Sequence, residues 1–97
     1  MNTYISLLRY TAQGAANIKA SPARLDAARK LYAANGANLK EWYLTFGQYD
    51  AIVIAEAPDD ETAAKLILMI GAQGNIHTET FRAFPEDEYR KIVASIP

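Results

Sequence analysis

Apolar and polar positions along the chain change rhythm several times, and each change marks the edge of an element. Tyr4-Ile5-Ser6-Leu7-Leu8-Arg9-Tyr10 reads as a strand by composition. It is apolar on both parities, the pattern of a strand covered on both faces. Thr11 to Ala20 is a polar, glycine-containing connection with room for one helical turn near Gly14 to Ile18. Its length is large for a strand-to-helix loop, and long loops are a common seat of function. Ser21 is placed to cap the next helix and Pro22 suits its first position. Leu25, Ala28, Leu31 and Tyr32 then fall on one side at helical spacing. Asn35-Gly36 stops the helix, with Gly36 fit for a left-handed conformation.

Leu39 to Phe46 predicts a second strand and Asp50 to Ala57 a third. The stretch Phe46-Gly47-Gln48-Tyr49-Asp50 joins them as a hairpin turn. Gly47 takes positive φ without steric cost, and Asp50 accepts a hydrogen bond from a turn amide. Pro58-Asp59-Asp60-Glu61 opens a second helix, its acidic residues matched to the positive end of the helix dipole. Ala63, Leu66, Ile67 and Ile70 make its apolar face, and Gly71 ends it. Asn75 to Phe84 is a fourth strand of mixed polarity. Pro85 starts a short terminal helix whose Tyr89, Ile92, Val93 and Ile96 share one face.

The order is βαββαβ plus a terminal helix, the ferredoxin-like arrangement of two split βαβ units. It predicts strands one and three in the centre, two and four at the edges, and both long helices on one face of the sheet. Leu25, Leu31, Leu66 and Ile70 are then expected to seal that face. The central strands are nevertheless apolar on their other parity too. Left in water, that parity would form an exposed Tyr and Ile patch. A second copy of the sheet is the simplest cover, so the sequence predicts a homo-oligomer, a dimer with facing sheets in an α+β barrel.

Composition narrows the functional classes. Ninety-seven residues make a single domain, 1–97. A net charge of −1 gives no electrostatic case for nucleic acid or an anionic membrane. The absence of cysteine removes disulfides and thiolate chemistry. No basic segment precedes an apolar N-terminal core, and no apolar run approaches the length of a bilayer span, so a cytoplasmic protein is expected.

Gly47-Gln48-Tyr49-Asp50 resembles the Gly-X-Tyr-Asp signature of GYD-domain proteins. The resemblance extends through Tyr10-Thr11-Ala12-Gln13-Gly14, Ile18-Lys19-Ala20-Ser21-Pro22, Glu56-Ala57-Pro58-Asp59-Asp60 and Gly74-Asn75-Ile76-His77-Thr78-Glu79-Thr80. It implies a ferredoxin-like, dimeric α+β barrel, in a family without a generally established biochemical activity. Ala12 departs from the pattern, since an acidic residue often stands there in the family.

Few side chains suggest chemistry. His77 is the sole histidine, and it shares parity with Glu79, a carboxylate able to orient an imidazole. In one subunit Glu41 and Tyr43 lie at the opposite edge, but the sheets of a dimer bring edges together. The expected pocket therefore lies between the helix-free face and its partner, lined by Tyr43, Tyr49, Asp50, His77 and Glu79, and suited to a small polar or aromatic metabolite. Against this, turn chemistry alone accounts for Gly47 and Asp50. Trp42 reads as a core or interface anchor, and Lys19, Arg24, Arg29 and Lys30 as a solvated helix face. No metal or cofactor motif is present. The expected function is a small oligomeric binding or accessory protein. The alternatives are a cofactor-independent enzyme of the monooxygenase or isomerase type and a structural module without ligand.

Overall fold

A computed structural model describes the whole chain, Met1–Pro97. Four antiparallel strands, β1 (Asn2–Tyr10), β2 (Asn38–Leu44), β3 (Ala51–Ala57) and β4 (Ile76–Ala83), form one sheet in the order β2-β3-β1-β4. The two most apolar strands thus take the centre, as their patterning requires. Alternation sorts their side chains cleanly. Tyr4, Ser6 and Leu8 of β1 and Ala51, Val53, Ala55 and Ala57 of β3 are buried beneath the helices. Ile5 and Leu7 of β1 and Ile52 and Ile54 of β3 lie on the other face and are only half-buried.

The helices are α1 (Ala12–Ala16), α2 (Ser21–Ala34), α3 (Asp60–Gly71) and α4 (Glu86–Ala94). Asp59 caps α3 by accepting from the Thr62 amide at 2.8 Å. Leu66 on α3 is fully buried and anchors the core with Tyr4, Leu8, Tyr32, Leu39 and Val53. Burying one such side chain contributes about 2–3 kcal/mol.

Ser21 does not cap α2. The chain is already helical before it, in a 3-10 turn over Ile18–Ala20 that runs directly into α2, so Ser21 lies inside the helical path. Its hydroxyl instead meets the Tyr10 phenol at 3.3 Å.

The long connection after β1 is tied to the loop before β4. Thr11 caps α1 through the Gly14 amide and donates its hydroxyl to the Gly74 carbonyl at 2.6 Å. The Thr11 amide donates to the Asn75 carbonyl at 3.1 Å. Gln13 donates to the Gln73 carbonyl and the Asn75 side chain. The two backbones come so close that a Cβ on Gly14 would sit 2.0 Å from the Asn75 oxygen. Only glycine permits that approach.

The terminal helix stands apart. No residue of α4 is buried, and Tyr89, Ile92 and Val93 present its apolar side to solvent. The molecule is accordingly elongated, 53 × 31 × 18 Å, with a radius of gyration of 14.7 Å. A compact chain of this length has a radius of about 12.5 Å. No helix is long and apolar enough to cross a membrane.

Candidate functional site

Two places on opposite faces of the sheet collect polar groups next to apolar surface. The first is the end of the helix-free face where the β2–β3 hairpin crosses β1. The hairpin closes through the Thr45 amide and hydroxyl, which donate to the Asp50 and Tyr49 carbonyls at 2.8 Å each. Gly47 sits at φ +104°, the positive region that the turn predicted. The Asp50 carboxylate accepts from the Tyr10 amide at 2.9 Å, and the Asp50 amide donates to the Leu8 carbonyl at 2.8 Å. Both bonds fasten the hairpin to the end of β1.

This anchoring throws Tyr49 across β1 toward β4. Its phenol donates to Glu79 at 2.8 Å, and that bond first, then partial loss of water, pushes the phenol above its ordinary value. Arg9 lies over the Tyr49 ring at 4.9 Å and donates to the Gln48 carbonyl at 2.8 Å. His77 is paired with Arg9 in the β1–β4 register and is exposed. Tyr43 is on the far edge strand, where its phenol donates to Glu41 at 2.6 Å and is raised chiefly by that bond. Among the five residues expected to line a pocket, the fold therefore joins Tyr49 to Glu79 and sets His77 near them. It holds Tyr43 at the other edge and turns the Asp50 carboxylate to backbone. Glu79 is bonded to Tyr49 rather than to His77.

The same face carries an apolar centre between these polar ends. Cross-strand register aligns Glu41, Ile54, Ile5 and Phe81 in one row and Tyr43, Ile52, Leu7 and Glu79 in the next. Phe81 and Tyr43 are about half exposed.

The second place is a cavity of about 240 Å³ between the sheet and the helices. The helix-covered face is therefore not sealed. Leu25, Leu31 and Ile70 line an opening instead of closing it, and only Leu66 is fully buried. The reason is side-chain size and helix placement. α2 lies chiefly over β2 and α3 over β4, so the two straddle the central strands. Ser6 and Val53 at the centre of the sheet are small, and α2 presents Ala27 and Ala28 above them. The walls of the cavity include Leu8, Tyr32, Trp42 and Ile76. Tyr10, Ser21, Arg24, Gln73 and Asn75 also line it, and they come from the end of β1, the start of α2 and the loop before β4. None of the five residues expected to line a pocket reaches this cavity. No group of three His, Asp or Glu side chains converges anywhere in the molecule.

The sequence matches the GYD domain over residues 4–93. The chain belongs to the GYD domain family. It is 30% identical over 86 residues to a Thermus thermophilus protein named glutamine synthetase and cystathionine beta-lyase binding protein, covering 88% of this chain and 90% of that one. The crystal structure of FFRP-DM1 superposes with a TM-score of 0.61 at 23% identity, over 87% of this chain and all of that one. A second crystal structure, of a protein from Thermus thermophilus, gives a TM-score of 0.56 at 23% identity over 88% and 95% of the two chains. Both likenesses concern the fold.

In this GYD domain the family's Gly-X-Tyr-Asp segment has a clear local purpose: glycine turns the chain, aspartate fastens it to β1 and tyrosine reaches β4. Arg24 is half-buried instead of standing on a solvated face, while Arg29 stays exposed. Arg24 donates to the Asn17 and Gly14 carbonyls at 2.9 and 3.4 Å, and Arg29 to the Leu39 carbonyl at 2.9 Å.

Proposed function

We propose that the chain is a small cytoplasmic binding and accessory protein that acts as a homodimer and docks onto an enzyme partner. The observation that carries the proposal is the helix-free face, where Ile5, Leu7, Ile52 and Ile54 form a half-buried apolar centre. A contiguous patch of this kind at the middle of a sheet is the usual mark of an interaction surface. Packing two such faces together gives an α+β barrel, and the unattached apolar side of α4 supplies further surface. In that assembly Tyr43, His77 and the Tyr49–Glu79 pair face the shared interior. Asp50 positions Tyr49, and a small polar or aromatic metabolite is the fitting occupant. The Thermus relative is named for binding glutamine synthetase and cystathionine beta-lyase, which supports a binding role toward enzymes.

Sedimentation equilibrium at micromolar concentration tests assembly, with Ile54→Lys as the disruptive variant. The wild type is expected at twice its 10.7 kDa chain mass and the variant at the chain mass. Binding of the wild type to purified glutamine synthetase and cystathionine beta-lyase from its own host is then measured by interferometry. A wild type that sediments as a single chain and binds neither enzyme overturns the reading.

A further inference from the structure

We propose that the cavity between the sheet and helices α2 and α3 is a binding site for a single-ring aromatic monocarboxylate, held by Arg24 at its polar end. This site lies on the opposite face from the proposed dimer interface and does not depend on it.

Size comes first. At about 240 Å³ the cavity is smaller than a drug-sized pocket. A dry cavity of about 150 Å³ accepts benzene, so one ring with a short tail fits the space here. Two rings with substituents do not.

The walls select for a ring. Tyr10, Tyr32 and Trp42 line the space together with Leu8 and Ile70. Aromatic side chains gain from offset or edge contacts with another ring beyond simple burial.

The polar end selects for an anion. Arg24 is half-buried and lines the cavity. Its hydrogen bonds run to two neutral carbonyls, Asn17 and Gly14, and it takes part in no ion pair. A guanidinium has five donors, so these two bonds leave others for a ligand. A partly buried cation without a counter-charge favours an anionic occupant, and a carboxylate matches the guanidinium fork. The Ser21 and Tyr10 hydroxyls, 3.3 Å apart, and the Gln73 and Asn75 amides stand at the same end. One cation and neutral donors suit a monoanion better than a phosphate or a dicarboxylate.

The chain supplies its own reporter, because Trp42 is the single tryptophan and borders the cavity. Phenylacetate is titrated while Trp42 fluorescence is followed, against 2-phenylethanol as a neutral match and phenethylamine as a cationic one. Phenylacetate is expected to saturate the signal and to bind about tenfold more tightly than the alcohol. Phenethylamine is expected to give no saturable change. Arg24→Gln should lower phenylacetate affinity to about that of the alcohol and so remove the preference for the acid. Ala28→Leu, which fills the space from α2, should abolish binding of both while circular dichroism shows a folded chain. The proposal is overturned if phenylacetate gives no saturable change up to tens of millimolar, if acid and alcohol bind alike, or if folded Ala28→Leu still binds. Because Ile54→Lys alters the other face, a monomeric variant that still binds phenylacetate separates this site from the assembly reading.

Discussion

The two faces of the sheet are made by the same central strands, yet they solve different problems. Beneath the helices most inward residues of the central strands are small, Ser6, Ala51, Val53, Ala55 and Ala57, and only Tyr4 and Leu8 among them are large. Burial there comes from large side chains descending from the helices, above all Leu66, and where none descends a cavity remains. On the other face the strands carry their own bulk, Ile5, Leu7, Ile52 and Ile54, with no helix to receive it. One face is completed within the chain, and the other presents large apolar groups at the surface. Half-burial of branched aliphatic residues at a sheet centre is stable locally because neighbours shield one another. It still leaves apolar area that association would remove from water.

That contrast sets the largest expected effect. Leu66→Ala removes a fully buried side chain and should cost about 3–4 kcal/mol at any protein concentration. Leu7→Ala should cost about 1 kcal/mol in dilute solution and progressively more as concentration rises, because in the proposed dimer a second copy buries it. Urea denaturation midpoints over a hundredfold range of concentration check both. Equal, concentration-independent losses would mean that the two faces do not differ in the way proposed.

The next effect probes how the covered face is closed at its polar end. Gly14→Ala places a methyl group 2.0 Å from the Asn75 oxygen, so the link between the loops after β1 and before β4 must open. Overpacking against backbone of this kind should cost about 2–3 kcal/mol. Amide exchange of Thr11, which donates to Asn75, should accelerate, while the amide of Thr45 in the hairpin stays protected. A stable variant with a protected Thr11 would show that the two loops move apart without consequence.

Strand order and the turn at Gly47 were legible in the sequence because they follow from local patterning and from backbone sterics. Two-parity apolar strands belong in the centre, and a hairpin glycine takes positive φ. Ser21 resembles a cap because a capping residue is recognised from the residues after it. Here the preceding Ile18–Ala20 turn had already started the helical path. The cavity was hidden for a different reason. Periodicity tells which side of α2 faces inward, but not whether Ala27 and Ala28 leave a gap above Ser6 and Val53. The Gly14–Asn75 contact joins residues about sixty positions apart, a distance over which sequence pattern carries no geometry.

A smaller effect belongs to the helix-free side. Gly47→Val forces a β-branched residue to φ +104° with no steric clash around it, so the loss is backbone strain alone. About 1–2 kcal/mol is expected, with loosening of the Tyr49–Glu79 contact visible as a shift in the Tyr49 ring resonances. An unchanged midpoint would mean that the hairpin has a second conformation open to valine.

The smallest effect is a dependence on acid that separates the helix cover from the hairpin. Asp59 lies in extended backbone at φ −157°, ψ 169°, and its carboxylate accepts from the Thr62 amide at the start of α3. Hydrogen bonding from the Thr62 side chain first, and then from the Thr62 amide, holds its pKa below the ordinary 3.8. The folded value is thus lower than the unfolded one. Such a group contributes stability above the unfolded value and loses it as pH falls through the folded value. Asp59→Asn keeps an oxygen acceptor and removes the charge, so the variant should be less stable than the wild type at neutral pH. The two should converge below the folded pKa, where the wild-type carboxyl is also neutral. Urea midpoints at about pH 7, 4 and 2.5 measure the gap between them. Exchange at α3, which carries Leu66, should rise with acid more in the wild type than in Asp59→Asn, and the Thr45 amide of the hairpin should show no such difference. A gap that stays constant across all three conditions would assign the cap to its geometry alone and leave the charge of Asp59 without a part in holding the helix over the sheet.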